Sequence, residues 1–529
     1  MRELSELSEL SDAERRLWEA YPAGAVVDLR AGHDHGAGSA TEKDPDKTVR
    51  AELIARLLLG ARTPEAGRNP GVRLVGARIS GTLDLSSVQV DTPLLIQHSV
   101  FDSTPILTDA AMRSVDLTGC ALPGLDGRGL RTDRALIIDS CRVEGGIVLR
   151  DARIGGSLYL ADSWIYDPGG RAVDADHLVV EGRVDARQLV AEGAIRVHNG
   201  QVAGEIILYG ASLTNPAGYA LSLGGLKLGG GMFCTQGFTA RGESRLIGVQ
   251  LANLTLRNAT LINPGGVTLD LEQAVIRRID AGEGFRSTGA IRLVGTQVSG
   301  RVDLTDARVD GSGGGTAIDA ESLGVGEALL LNGIHAAGEV DVRMARVSGR
   351  IDLTGARLEN PDGIALVASR TDVGADVLAD NAFVQGEFRI TGGRVGNRLS
   401  FDGARLINPE GTAFDAQTLQ AASLYLLPRE PPKGLVTLRH ARISVIRDER
   451  RTWPEELRLD GLVYEVLEPR LRARERLRWI ARDVDGYQPQ PYEQLAGAYT
   501  RIGQHLDSRR VLYAKERRHR RTQTVLGRI

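Results

Sequence analysis

The chain has 529 residues, a formal net charge of −3, 4% aromatic residues and 64 glycines. So little aromatic volume argues against a large globular core and suits thin coils filled by aliphatic side chains. The charge is uneven: residues 501–529 hold nine Lys/Arg against two acids, leaving −10 (56 basic, 66 acidic) on residues 1–500. An acidic body with a basic tail argues against a nucleic-acid groove along it.

The opening Met1-Arg2-Glu3-Leu4-Ser5-Glu6 is charged and lacks the apolar run of a secretory signal. No window of 18 apolar residues occurs that would span a membrane. Ser11 with Glu14 three residues on has capping-box spacing and predicts a helix whose apolar face carries Leu17 and Trp18. Residues 31–46 read as a loop. His33-Asp34-His35 within it could supply metal ligands only with further ligands from elsewhere, and reads as solvated. Residues 49–59 form a second predicted helix, with Val49, Leu53, Leu57 and Leu58 on one face. A β-helix has an open apolar end, and this segment is expected to cap it.

From about Val72 the sequence repeats. The tetrads beginning at Ser157, Glu205, Asn253, Arg301, Arg350 and Arg398 lie 48, 48, 48, 49 and 48 residues apart, each apolar at its second and fourth residues. That is a short period-two strand. Asp167-Pro168-Gly169-Gly170, Asn215-Pro216-Ala217-Gly218, Asn263-Pro264-Gly265-Gly266, Asn360-Pro361-Asp362-Gly363 and Asn408-Pro409-Glu410-Gly411 keep the same beat, and the glycines of 311–315 fill the remaining slot. Proline presets φ, and glycine is expected to take a left-handed position. Weaker strands between the tetrads divide each unit into four, giving two coils of about 22 residues plus the Pro-Gly loop. Gly/Asp-Ala-Arg-Ile/Leu/Val recurs at 151–154, 306–309, 355–358 and 403–406, with a last echo at 440–443. Its alanine suits an inner corner and its arginine the solvent face.

The expectation is an all-β solenoid, a right-handed parallel β-helix with an N-terminal helical cap and a C-terminal helical hairpin. Its parts are a cap with a flexible loop over residues 1–70, the β-helix over 71–446, and a helical, basic region over 447–529. A four-sided coil of the pentapeptide type is the near rival. If the coils run from about Val72 to Val445 they number roughly 16. Beyond Glu468 the periodicity turns helical. Leu471, Leu477, Trp479 and Ile480 precede a loop around Asp485-Gly486, then Leu495, Ala498, Tyr499 and Ile502 recur at helical spacing. A last helix carries Arg509, Arg510, Lys515, Arg517, Arg518, Arg520 and Arg521.

Val49-Arg50-Ala51-Glu52 before an aliphatic helix, the Gly-Ala-Arg-Ile coils and Tyr487-Gln488-Pro489-Gln490-Pro491-Tyr492-Glu493-Gln494-Leu495 resemble an actinobacterial β-helix family commonly labelled membrane-associated oxidoreductase. The resemblance covers essentially the whole chain, and the segment 487–495 is its most specific part. In that family the basic helix is generally followed by membrane-spanning segments, and this sequence stops at Ile529, where those would begin. The resemblance implies attachment to a membrane. With positive-inside placement it implies a solenoid in the cytoplasm, at the inner face of the cell membrane, its basic helix on an anionic surface.

The residues carry no redox machinery to match the label. Gly224-Gly225-Leu226-Lys227-Leu228-Gly229-Gly230-Gly231 has no following helix to hold a pyrophosphate and reads as turn glycines. Cys120, Cys141 and Cys234 lack metal or redox-pair spacing and read as small buried hydrophobes in a reducing compartment. No cofactor or metal is assigned. Carbohydrate-active β-helices line carboxylates along an outer face. The matching candidates here are Asp303 and Asp352, about 10 Å apart, with Arg343 near them in sequence. The even 48-residue beat favours a non-catalytic binding or scaffolding module with a protein partner or membrane domain, and an enzyme is the alternative.

Overall fold

The computed structural model describes residues 10–30 and 45–526. The charged start and the His33-Asp34-His35 loop lie outside the described residues. The chain divides into two compact units, Met1–Asn263 and Pro264–Ile529. Each is a parallel β-solenoid, and between them they contain about 18 turns.

The first unit opens with helix α1, Asp12–Ala20, capped by the expected box. The Glu14 N–H donates to the Ser11 hydroxyl, and the Ser11 N–H donates to the Glu14 carboxylate. Leu17 and Trp18 are buried beneath it. Arg50 reaches the same carboxylate, its Nε at 2.7 Å and its backbone N–H at 3.0 Å. Burial alone would raise the Glu14 carboxyl, but these hydrogen bonds outweigh it and hold it below its ordinary value. Helix α2, Ala51–Leu58, is shorter than the predicted segment. Val49 belongs to a strand, Thr48–Arg50, lying parallel to Arg78–Ser80 with Val49 opposite Ile79. Burying that β-branched residue in a ladder outweighs extending the helix by a turn. Coils also begin earlier than expected, because Val27–Asp28 pairs with Leu74 and Val75.

Each coil has two sides, each made of two short strands separated by a bend. Arg131, Arg153, Val179, Gln201 and Lys227 stack in one column, so successive coils consume 22, 26, 22 and 26 residues. The 48-residue period is therefore one short and one long coil. It contains eight short strands rather than four, because two-residue strands around a bend leave almost no alternation in the sequence.

The Ala-Arg motif marks the corners as expected. Its first residue is left-handed whether it is glycine or not: φ is 68° at Gly355, 67° at Gly403, 55° at Asp306 and 57° at His440. The alanine that follows, Ala307, Ala356, Ala404 or Ala441, is fully buried, and the next aliphatic residue is nearly so. A larger side chain at the alanine would overfill the inner corner.

In the second unit Gln297, Gly324, Arg346, Asp372, Arg394, Gln420 and Arg442 continue the same alternation. Phe388, Phe401 and Phe414 fill the interior edge to face, at centroid distances of 4.9 to 5.9 Å. The ladder passes the expected end near Val445. Leu457–Arg458 pairs with Val436 and Thr437, and Val463–Glu468 pairs with Arg442–Asp448. Three helices follow: α3 (Ala473–Ile480), α4 (Pro489–Arg501) and α5 (His505–Leu526). α4 starts inside the Gln-Pro-Gln-Pro run, where proline at the first turn loses no helical hydrogen bond. No helix among the described residues is long and apolar enough to cross a membrane.

Candidate functional site

Within each unit the Pro-Gly segments lie in the long coils, and side chains close them. Asn215, Asn360 and Asn408 each donate from Nδ2 to the carbonyl four residues on, at 2.8 to 3.0 Å. The left-handed position is the third residue of the segment, Gly169 and Gly265 where it is glycine, and not the fourth as expected: Gly170, Gly218, Gly363 and Gly411 have no positive φ. Gly363 and Gly411 serve another purpose. There a Cβ would fall 2.7 and 2.9 Å from the asparagine amide, so these glycines make room for the closing hydrogen bond.

The short coil that follows supports each segment with a glycine, buried at Gly193, Gly242 and Gly386 and half-buried at Gly434. Gly193, Gly242, Gly386 and Gly434 have φ between 112° and 119°, and a Cβ on any of them would lie 2.2 to 2.3 Å from a carbonyl oxygen of the segment above. The residue after this glycine varies from coil to coil: Glu243, Glu339 and Glu387 in three, Ala194 and Ala290 in two, and Leu435 in another. The Glu387 carboxylate accepts from Arg389 Nε at 2.7 Å and Nη2 at 2.8 Å. Glu243 does the same with Arg245 in the first unit, at 3.0 and 2.9 Å. Glu339 occupies the equivalent place after Gly338, and burial pushes its carboxyl up.

After Gly289 the residue is Ala290, and the space is open. A hollow of about 320 Å³ lies there between the backbones of Gly265, Gly266, Gly311 and Gly314, with Arg292 and Asp319 in its lining. Arg292 reaches Glu272 at 3.1 Å and Asp270 at 3.6 Å through its terminal nitrogens, and its Nε lies 4.0 Å from Asp319. Arg292 heads an outward column that continues through Asp319, Asp341, Val367, Arg389 and Asp415. This hollow was not among the predicted sites. The signal for it is the Gly-Glu to Gly-Ala exchange at Ala290; Ala194 shows the same exchange, but there Asp176 holds Arg196, its Oδ1 accepting from Arg196 Nε at 3.1 Å.

The predicted carboxylates lie elsewhere. Asp303 and Asp352 share a column on the other sheet, with Leu330 paired between them, so the two are not neighbours; the acid beside Asp303 in the ladder is Asp280 of the preceding coil. Each is tied to its own corner. Asp303 Oδ1 accepts the Thr305 N–H at 3.2 Å, and Asp352 Oδ1 accepts the Thr354 N–H at 3.1 Å. Asp28, Asp84, Asp116, Asp270, Asp341 and Asp415 make the same contact two residues on. Arg343 sits on the Asp341 side of the coil, its Nε 2.7 Å from Asp341 Oδ2, and is not brought to Asp303 or Asp352. Asp-x-Thr here is an Asx turn that fixes the corner. Asp352→Ala is therefore expected to lower stability by about 1 kcal/mol, while Asp352→Asn, which keeps the acceptor, stays within about 0.5 kcal/mol of the parent. Urea midpoints check this, and an asparagine variant as damaged as the alanine one would show that charge, not the turn, matters.

The three thiols are buried: Cys120 donates to the Ile96 carbonyl and Cys141 to the Leu117 carbonyl, and burial pushes all three thiol pKa values up, that of Cys141 to about 12. In the Gly224–231 run, Gly225 is a left-handed corner, and Gly229 and Gly230 pack on the backbone of Ala203 and Gly204. No three His, Cys, Asp or Glu side chains come together as a metal site among the described residues.

Helix α5 buries Val511 and Ser508 against its neighbours. Arg509, Arg510, Arg517, Arg518 and Arg520 are exposed, Lys515 is drawn to Glu493 at 3.1 Å, and the Arg521 side chain lies outside the described residues. Leu506 and Tyr513, at 72% and 71% exposure, share a face with Arg510 and Arg517 by helical spacing. No family model, curated protein or solved structure matches the chain.

Proposed function

We propose that the chain is a non-catalytic binding or scaffolding solenoid held at an anionic membrane surface by its last helix. The observation that carries this reading is the exposed face of α5, where Leu506 and Tyr513 stand among arginines. Apolar groups that enter the headgroup region beside cations that pair with lipid phosphates are the composition of an interfacial helix. The resemblance to the membrane-associated family supports the same placement, at the cytoplasmic leaflet and beside a membrane domain or protein partner. The candidate carboxylates are committed to corner turns, which favours a binding role over a carbohydrate-active enzyme.

Co-sedimentation with phosphatidylserine-containing and neutral vesicles tests this. Binding to the anionic vesicles is expected, with little to the neutral ones. Replacing Arg509, Arg510 and Arg517 together by glutamine is expected to weaken it roughly 100-fold, at about 1 kcal/mol per charge. A chain ending at His505 should lose it entirely. Equal pelleting of the parent and the triple variant would overturn the reading.

A further inference from the structure

The internal repeat shows what the hollow beside Ala290 is built to hold. In the coils of Glu243 and Glu387 the residue after the supporting glycine carries a carboxylate that binds Nε and Nη2 of the arginine two residues on, and in the coil of Ala194 the Asp176 carboxylate takes the same two atoms of Arg196. The coil of Ala290 keeps the arginine, Arg292, and keeps the glycine walls, but lacks the carboxylate. Arg292 meets Glu272 and Asp270 most closely through its terminal nitrogens, and its closest approach to Asp319 is a loose 4.0 Å from Nε.

We propose that this hollow binds a small zwitterion, a free α-amino acid, whose carboxylate takes the place on Arg292 that Glu387 takes on Arg389. A carboxylate alone would meet an unfavourable field, because Asp270, Glu272 and Asp319 all surround Arg292. An ammonium group on the same molecule resolves this. Asp319 lines the hollow and is about a third exposed, with Oδ1 turned to the Glu321 N–H and Oδ2 on the side of Arg292. The volume of about 320 Å³ is at the lower end of small-molecule sites and suits a ligand of amino-acid size. Walls of glycine backbone allow a ligand to approach closely and offer peptide groups as further hydrogen-bond partners. The inference is independent of the membrane reading: vesicle binding can fail while this site holds.

Ligand-observed NMR with the full chain tests it, using glycine and L-alanine as probes and acetate and methylamine as controls. Both amino acids are expected to show saturation transfer and saturable binding, with each control at least tenfold weaker. Ala290→Glu supplies the missing carboxylate from the chain itself and should abolish the signal. That variant is expected to fold, since Gly-Glu stands at this place in the coils of Glu243, Glu339 and Glu387. Arg292→Gln should weaken binding by tenfold or more. The proposal is overturned if neither amino acid binds, if acetate binds as well as glycine, or if Ala290→Glu leaves binding unchanged.

Discussion

Gly386→Ala is expected to destabilise the second unit by about 3 kcal/mol or more, from backbone strain and overpacking together. Gly386 is buried at φ 113°, outside the left-handed region that non-glycine residues tolerate, and a Cβ there would lie 2.3 Å from the Asn360 carbonyl oxygen and 3.0 Å from that of Gly363. Neither neighbour can move freely. Asn360 is held by its own hydrogen bond to the Ile364 carbonyl at 3.0 Å. Gly355→Ala is the control, since Gly355 has φ 68° and nothing within 4 Å of its Cβ position. The equivalent corner at Asp306 already carries a side chain at φ 55°. That substitution should cost only about 1 kcal/mol. Denaturation midpoints of the two variants, measured side by side, decide it. Equal losses would mean that the glycines under the Pro-Gly segments are there for chain flexibility and not for close approach.

The same contrast shows which features the sequence carries openly. The corner motif is legible because alanine, arginine and an aliphatic residue each answer to one constraint and return on a fixed beat. Ala356 is buried and Leu358 is buried, as their spacing alone requires. Val184–Asp185 and Ile195–Arg196 are legible as strands, but their partners around each bend, such as Val179–Val180 and Gln201–Val202, are hidden because two residues are too short to show alternation. Val49 was drawn toward helix by its aliphatic neighbours. What turns the chain there is Glu14, 36 residues away, whose carboxylate takes the Arg50 N–H. The later coils of residues 457–468 are masked by their charge, since Arg458 and Glu465 face outward while Leu457 and Leu467 supply the buried side.

The site was harder to read for a different reason. Asp303 and Asp352 looked chemical because acids recur in one column, yet Asp-x-Thr places an N–H two residues on, and that local bond explains the acid without a ligand. Ala290 looks unremarkable by itself. It becomes informative only beside Glu243, Glu339 and Glu387, and beside Ala194, whose coil has Asp176 on the arginine two residues on. A repeat protein thus carries its own comparison set, and a missing side chain in one coil is as readable as a present one in the next.

Asp448→Ala is expected to release helix α3 from the last coils, with a loss of about 3–5 kcal/mol. Asp448 closes the strand Arg442–Asp448 and is 2% exposed, and Arg476, from α3, is 1% exposed with Nη1 2.6 Å from Asp448 Oδ2. Trp453 donates its indole N–H to the same oxygen at 3.0 Å, and Arg476 Nη2 donates to the Pro469 carbonyl at 3.2 Å. The guanidinium also lies 5.6 Å from the Trp453 ring and 5.8 Å from that of Trp479. Removing the carboxylate leaves a buried cation between two indoles with no counter-charge, which costs far more than the pair itself contributes. The double variant Asp448→Leu with Arg476→Met removes both charges and should recover most of the loss, because an apolar pair of similar volume is a neutral replacement for many buried ion pairs. Limited proteolysis between Glu468 and Pro489, followed alongside urea denaturation, reads the two cases apart. Rapid cleavage in the single variant and protection in the double one support the argument. A single variant as resistant as the parent would mean that the packing of Trp453 and Trp479, rather than the ion pair, holds α3 in place.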